Sequence, residues 1–273
     1  MRIAEFLGMP LALWNQYGII MVNQSRRNRM DVKRNGLVFL ALWVVLAGSA
    51  AADDPYAGAR AALIEEIEAN VQATASRIGR RELDERVMQV MADVPRHEFV
   101  RPAQRRLAYA NRPLPISHGQ TISQPYIVAL MTDLLNVDET AKVLEIGAGS
   151  GYQAAVLARL VDHVHTIEII EPLAVECRER IERLEIDNVT VHHGDGYYGL
   201  EDEAPFDAIM VTAAATYIPP PLVRQLKPGG RMVIPVGPQF HLQQLMIVDK
   251  DADGEITTRQ VLPVRFVPLT GDR

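Results

Sequence analysis

The chain has 273 residues, 48% hydrophobic and 23% charged, a balance that argues against both disorder and a multi-span membrane protein. Its net charge of −6 is uneven: residues 1–52 carry six Lys/Arg against two Asp/Glu, leaving 22 basic against 32 acidic residues, a net of −10, in the remainder. A body of that sign lacks the basic footprint of a nucleic-acid partner, and the single cysteine, Cys177, rules out an internal disulfide and reads as a small apolar filler.

Residues 36–48 (GLVFLALWVVLAG) are continuously apolar, follow Arg26, Arg27, Arg29, Lys33 and Arg34, and lead into the small residues Ser49 to Ala52. That order is the grammar of a secretory signal; the apolar run is short for a membrane span of about 20 residues, and Ala50-Ala51-Ala52 before Asp53 offers an A-x-A cleavage site. Residues 1–52 are therefore expected to be a leader, with a signal-like segment over 36–52 and the true start at Met30. Export to the periplasm follows, with membrane contact only through an uncleaved leader. The competing reading keeps Phe6 to Val22 as part of the protein, takes the apolar run as a buried or membrane-bound helix, and leaves the chain in the cytoplasm.

Residues 53–137 are expected to hold N-terminal helices and a substrate-binding loop, and residues 138–273 a Rossmann-like core, with 53–273 as one globular unit. Leu63, Ile64, Ile67, Val71 and Ile78 recur at helical spacing between Asp54 and about Arg80, and Leu83, Val87, Val90 and Met91 repeat the pattern until Pro95 stops it. Tyr109 to Gln124, rich in Gly, Pro, Ser and Asn, reads as a long and hence functional loop. Strands Lys142 to Ile146, His163 to Ile167, Val189 to His193 and Ala208 to Thr212 are expected, with helices Gln153 to Leu160 and Pro172 to Leu184 after the first two. This alternation implies an α/β, doubly wound, mostly parallel sheet. Leu242 to Val248 and Arg259 to Val267 flank the turn Asp249 to Gly254 and read as an antiparallel C-terminal hairpin.

The strongest local signal is Val143-Leu144-Glu145-Ile146-Gly147-Ala148-Gly149-Ser150-Gly151-Tyr152, a buried strand running into glycines and then a helix. The spacing Gly147-x-Gly149-x-Gly151 differs from the dinucleotide pattern, whose last glycine would fall at Tyr152, and so argues against NAD. Glu168 ends the second strand about 20 residues further on, where a carboxylate can accept both hydroxyls of a ribose. Gly194-Asp195-Gly196 brings an acid to the next strand tip, suited to an adenine amino group. Taken alone, Glu168 is equally a solvated strand end, while a plain turn is the lesser reading of Asp195. His192, His193 and Asp195 cluster in sequence, but strand alternation sends the two histidines to opposite faces, so no metal site is expected.

The chain resembles the protein-L-isoaspartate O-methyltransferase family over nearly all of Val94 to Gly271. The most specific stretch is 114–125 (LPISHGQTISQP), ahead of the cofactor loop; further matches are Glu145 to Tyr152, Gly194 to Gly196, Ala204 to Asp207, Val211 to Ala214, Leu226 to Gly230 and Phe266 to Gly271. Ser117 and Ala148 stand where many relatives carry glycine and threonine, and neither change removes a functional group. The resemblance implies methyl transfer from S-adenosyl-L-methionine to the free α-carboxylate of L-isoaspartyl residues in damaged proteins and peptides, giving an ester that cyclises to a succinimide. It implies a monomer, with Ser123 as the active-site serine. The cofactor would be held by Glu145, Gly147, Gly149, Gly151, Glu168, Asp195 and Gly196, and substrate by Thr121, Ile122, Gln124, Thr212 and Ala213. The isoaspartyl carboxylate, with a pKa near about 3.5, is already a nucleophile at neutral pH, so Ser123 is expected to orient it rather than be acylated. The bland reading of Ser123 is a loop serine capping the following helix. Two other functions remain: methylation of another substrate, and an inactive, exported cofactor binder.

Overall fold

The structure, a computed structural model, describes residues 54–239 and 241–271, so the expectations for the leader and for Met30 lie outside the described residues. Helix α1 (Ala57–Ile78) buries Leu63, Ile67, Val71 and Ile78 along one stripe and ends on Gly79, whose φ of 78° closes its last turn. The side chain of Asp84 accepts from the Arg86 N–H to open α2 (Glu85–Asp93). Val94 then turns extended (ψ 120°), as a residue before proline must.

The stretch expected as one loop holds more order. Within Tyr109 to Gln124, strands β1 (Leu114–Pro115) and β2 (Thr121–Ile122) pair antiparallel as a small hairpin, and a 3-10 segment over Pro102–Leu107 precedes that stretch. Helix α3 (Pro125–Leu135) follows with only Ile127 left short of full burial. Proline at its first position costs no hydrogen bond, because that N–H has no intrahelical acceptor.

The core then runs β3 (Lys142–Ile146), α4 (Tyr152–Ala158), β4 (His163–Glu168), α5 (Glu171–Arg183), β5 (Val189–His193), β6 (Phe206–Val211), α6 (Pro220–Gln225), β7 (Leu226–Val236), β8 (Gln243–Lys250) and β9 (Ile256–Val264). The expected strands and helices agree with these to within one or two residues, and the C-terminal hairpin to within three, the turn falling slightly later than Asp249 to Gly254. The seven-stranded sheet has the order β5-β4-β3-β6-β7-β8-β9, parallel from β5 to β7 and antiparallel for the last two pairs. Strand order reverses at β3, which puts a crevice at the carboxyl ends of β3, β4 and β6.

The two faces are unequally covered. Val143, Val164, Met210, Val233 and Ile247 pack into one large core with helices α1 to α5. Leu144, Ile146, Ile167, Ile209 and Met232 form a smaller core with Leu222 of α6. The winding is therefore double, as expected, but among the described residues the second face is covered by the six-residue α6 and loops.

Candidate active site

The ends of β3 and β4 aim backbone or side chain into the crevice, and the residues just past β6 close it. After β3 the chain turns on Gly147 (φ 98°) while the N–H groups of Gly147 and Ala148 both donate to the Ile167 carbonyl, at 2.8 and 3.1 Å. This ties the glycine loop to β4. A Cβ on Gly147 would lie 2.6 Å from Thr212 Oγ1, so the close approach of β6 demands glycine there. Thr212 itself is a brace, its hydroxyl set between the carbonyls of Ile146 (2.9 Å) and Gly147 (2.7 Å).

Glu168 is buried at the tip of β4 and accepts the Gly149 N–H at 2.9 Å through one oxygen and the Ile170 N–H at 3.0 Å through the other. Each oxygen keeps a lone pair for a further donor. One residue pair inward, Glu145 is fully excluded from solvent, and neither of its oxygens has a partner among the described residues. Burial pushes its carboxyl up to about 8, opposed by the hydroxyl of Thr166, its register partner on β4, and aided by the nearby charge of Glu168.

These groups line one open cleft at the carboxyl ends of β3, β4 and β6. Of the residues expected from sequence, it brings together Thr121, Ile122, Ser123, Glu145, Gly147, Gly149, Glu168, Gly196, Thr212 and Ala213. Gln124 instead lines an adjoining groove, which shares Thr121, Ser123 and Thr212 with the cleft and continues along Arg265, Phe266 and Val267. Gly151 does not line the cleft. It opens α4 at φ 82° and lies against α5, where an added Cβ would sit 2.9 Å from Cys177 Sγ. Asp195 is also absent from the lining: one oxygen accepts the Tyr197 N–H at 2.9 Å, and the other is buried beside Gly271 without a hydrogen-bond partner among the described residues. The sequence reasoning missed Tyr152, Gln153 and the wall 267–270, which folds back across the end of β6 through Ala214 N–H to the Val267 carbonyl and Leu269 N–H to the Ala214 carbonyl, both 2.8 Å. The match of Phe266 to Gly271 to family motifs was the available signal for the wall.

Ser123 lies one residue before the N-cap Gln124, and the first-turn Tyr126 N–H of α3 donates to Asn111 Oδ1 at 3.0 Å, so the side chain that caps this helix is Asn111 rather than Ser123. The histidines divide as alternation requires: His192 Nε2 meets His165 Nδ1 at 3.1 Å, while His193 Nε2 donates to the Ile169 carbonyl at 3.2 Å.

The family profile of protein-L-isoaspartate(D-aspartate) O-methyltransferase (PCMT) matches residues 72–273. This chain belongs to that family. A protein-L-isoaspartate O-methyltransferase 2 of Syntrophobacter fumaroxidans is 61% identical over 236 residues, covering 86% of this chain and 96% of the relative. One of the same description from a Polaromonas species is 64% identical over 211 residues, 77% of this chain and 100% of the relative. Among solved structures, a protein-L-isoaspartate O-methyltransferase superposes with a TM-score of 0.65 at 28% identity, covering 76% of this chain and 66% of the other. A Plasmodium falciparum member of the family, solved with S-adenosyl-L-homocysteine, gives 0.62 at 27% identity, covering 77% and 97%. Membership explains the motif Ala204 to Asp207 as scaffold: Asp207 accepts the Lys142 N–H at 2.8 Å and the Lys227 ammonium at 2.8 Å, joining β3, β6 and β7 at the edge opposite the cleft.

Proposed function

We propose that the cleft performs the family's repair reaction, methyl transfer from S-adenosyl-L-methionine to the free α-carboxylate of an L-isoaspartyl residue. The ester then closes to a succinimide. The observation that carries the reading is the unpartnered, buried carboxylate of Glu145 in the same cleft as Glu168 and the glycine loop. An orphaned carboxyl is costly unless a cationic ligand completes it, and the cofactor's ammonium is such a group. Glu168 takes the ribose hydroxyls through its remaining lone pairs, and Gly149, whose Cβ position has no close contact, lets the ligand approach the main chain, while Gly147 and Gly196 are held to glycine by Thr212 and Ile146 packed against them. Asp195 and Gly151 support this wall from behind. When bound, the cofactor supplies an electrophilic sulfonium methyl.

The protein's own contribution is placement. The substrate carboxylate needs no general base at neutral pH. The Ser123 hydroxyl orients it by donating a hydrogen bond, with Thr121, Ile122, Thr212 and Ala213 as the surrounding wall, and Gln124 meets the flanking polypeptide in the adjoining groove. Holding a nucleophile in line contributes several kcal/mol to the rate, on the order of the known effects of orientation. The test is transfer of labelled methyl by the full chain to paired peptides that differ only in isoaspartate versus aspartate. Base-labile label on the isoaspartyl peptide alone is expected; equal labelling of both, or none with cofactor binding intact, refutes the assignment. Ser123→Ala is expected to lower kcat at least tenfold with cofactor affinity within twofold of wild type.

The enzyme is further inferred to act as a monomer on polypeptides rather than nucleic acid, which the net of −10 over residues 53–273 supports. Light scattering on the purified chain reads the first point directly. The signal-like segment over 36–52 supports export, and an N-terminus at Asp53 in the mature protein from fractionated cells is expected. An intact leader in the cytoplasm would refute it.

A further inference from the structure

Arg96, on a 3-10 turn between Pro95 and Phe99, is wholly excluded from solvent. Its Nε donates to the Ala108 carbonyl at 2.8 Å and its Nη2 to the Ser123 carbonyl at 2.7 Å. Its Nη1 has no acceptor among the described residues, and the guanidinium carbon lies 4.7 Å from the centroid of the Tyr152 ring, which lines the cleft beside the glycine loop. No carboxylate pairs with it among the described ion pairs; Glu98, two residues on, is taken by Arg105 and Arg183. Burial pulls the guanidinium down only to about 10, so it stays charged at neutral pH.

Two neutral donors would hold two carbonyls as well, without the far larger cost of burying an unpaired cation. An aromatic face and two carbonyl dipoles ease that cost, but they carry no opposite charge. The opposite charge arrives with the substrate. We infer that Arg96 is a positioning residue that acts electrostatically, fixing the Ser123 main chain and supplying the buried positive charge that draws the isoaspartyl carboxylate onto Ser123. This inference rests on the reading of Ser123 as the substrate contact. Arg96 itself is wholly buried, where a fixed charge is weakly screened.

The experiment uses the full chain as wild type, Arg96→Gln, Arg96→Lys and Ser123→Ala. It compares KM and kcat for an isoaspartyl peptide with the inhibition constant of the same peptide carrying a neutral α-carboxamide, and adds cofactor affinity. Wild type is expected to prefer the carboxylate. Arg96→Gln is expected to raise KM for the carboxylate at least tenfold, to move the carboxamide constant less than threefold, and to leave cofactor affinity within twofold. Arg96→Lys keeps the charge but not the two-pronged grip, so the preference persists while kcat falls. Equal losses for both peptides in Arg96→Gln would reduce Arg96 to a structural brace and overturn the inference. Should Arg96→Gln not fold, Arg96→Lys decides alone, because loss of its carboxylate preference, or wild-type kcat, overturns the inference. Wild-type constants in Ser123→Ala would instead remove the reading of Ser123, a result seen independently of the Arg96 variants.

Discussion

At the scale of single residues, the cleft is dominated by two carboxylates that the fold treats differently. Glu168 is tied by two N–H groups, whereas Glu145, on the neighbouring strand, has none. With its carboxyl near 8, Glu145 is mostly protonated at pH 7, so pairing with a cofactor ammonium must expel that proton. Calorimetry of cofactor binding in buffers of different ionisation enthalpy is expected to show release of up to about 0.9 proton at pH 7 that is absent in Glu145→Gln. Equal release in both proteins would remove the contact. For Glu168→Ala the expected loss of cofactor affinity is about 1.5–3 kcal/mol, the range for a charged hydrogen bond, read by equilibrium titration. Much of this pair was visible in the sequence, since an acid inside an apolar strand and another at the next strand tip are both conspicuous. Arg96 was not, because an arginine in the charged run Arg96 to Glu98 looks solvated until folding places it behind Ser123.

At the scale of elements, sequence patterning worked where one chemical period governed a segment. Strands β3 and β6 are short, mostly apolar runs and β4 interleaves polar and apolar residues, and the structure keeps all three within two residues of expectation. Strand β7 escaped because Pro228, Gly229 and Gly230 lie inside its span and read as a turn; Gly229 (φ 80°) and the register shift opposite Phe206 and Ala208 show the irregularity that accommodates them. Gly151 reads from sequence as a cofactor contact, and its use proves to be in packing α4 against α5. Alanine there must adopt a left-handed φ and press on Cys177 Sγ, so Gly151→Ala is expected to cost about 1–3 kcal/mol by thermal denaturation. Adding Cys177→Ala relieves the contact but not the backbone, so the double variant is expected to recover only part of the loss. Full recovery would mean that backbone strain contributes nothing.

At the scale of the whole molecule, the unequal faces of the sheet place two groups whose titrations oppose each other. On the thinly covered face His165 is buried against Phe206, and burial, with the charge of His163 adding to it, holds the imidazole down to about 4. On the helical face Glu145 is held up to about 8. The unfolded chain binds a proton at His165 from about pH 6.5 downward while the folded chain resists, so the His165 contribution is complete above about 6.5 and disappears as the pH falls to about 4. Glu145 acts in the other direction. The folded chain keeps its proton above the unfolded value of 4.5, so its contribution is complete below that pH and is lost as the pH rises to about 8. Between about 4.5 and 6.5 the two slopes cancel, and between about 6.5 and 8 only the Glu145 slope remains, amounting to at most about 2 kcal/mol. Denaturant unfolding of the cofactor-free protein is therefore expected to give a nearly level contribution from this pair at the acid end and a decline toward pH 8. The difference between wild type and Glu145→Gln isolates that decline, and the His165→Asn variant isolates the opposing limb. Saturating cofactor supplies the missing cation to Glu145 and is expected to abolish the alkaline decline. If the decline survives in Glu145→Gln, or persists unchanged with cofactor bound, the buried carboxyl is not its source and the ammonium contact loses its support.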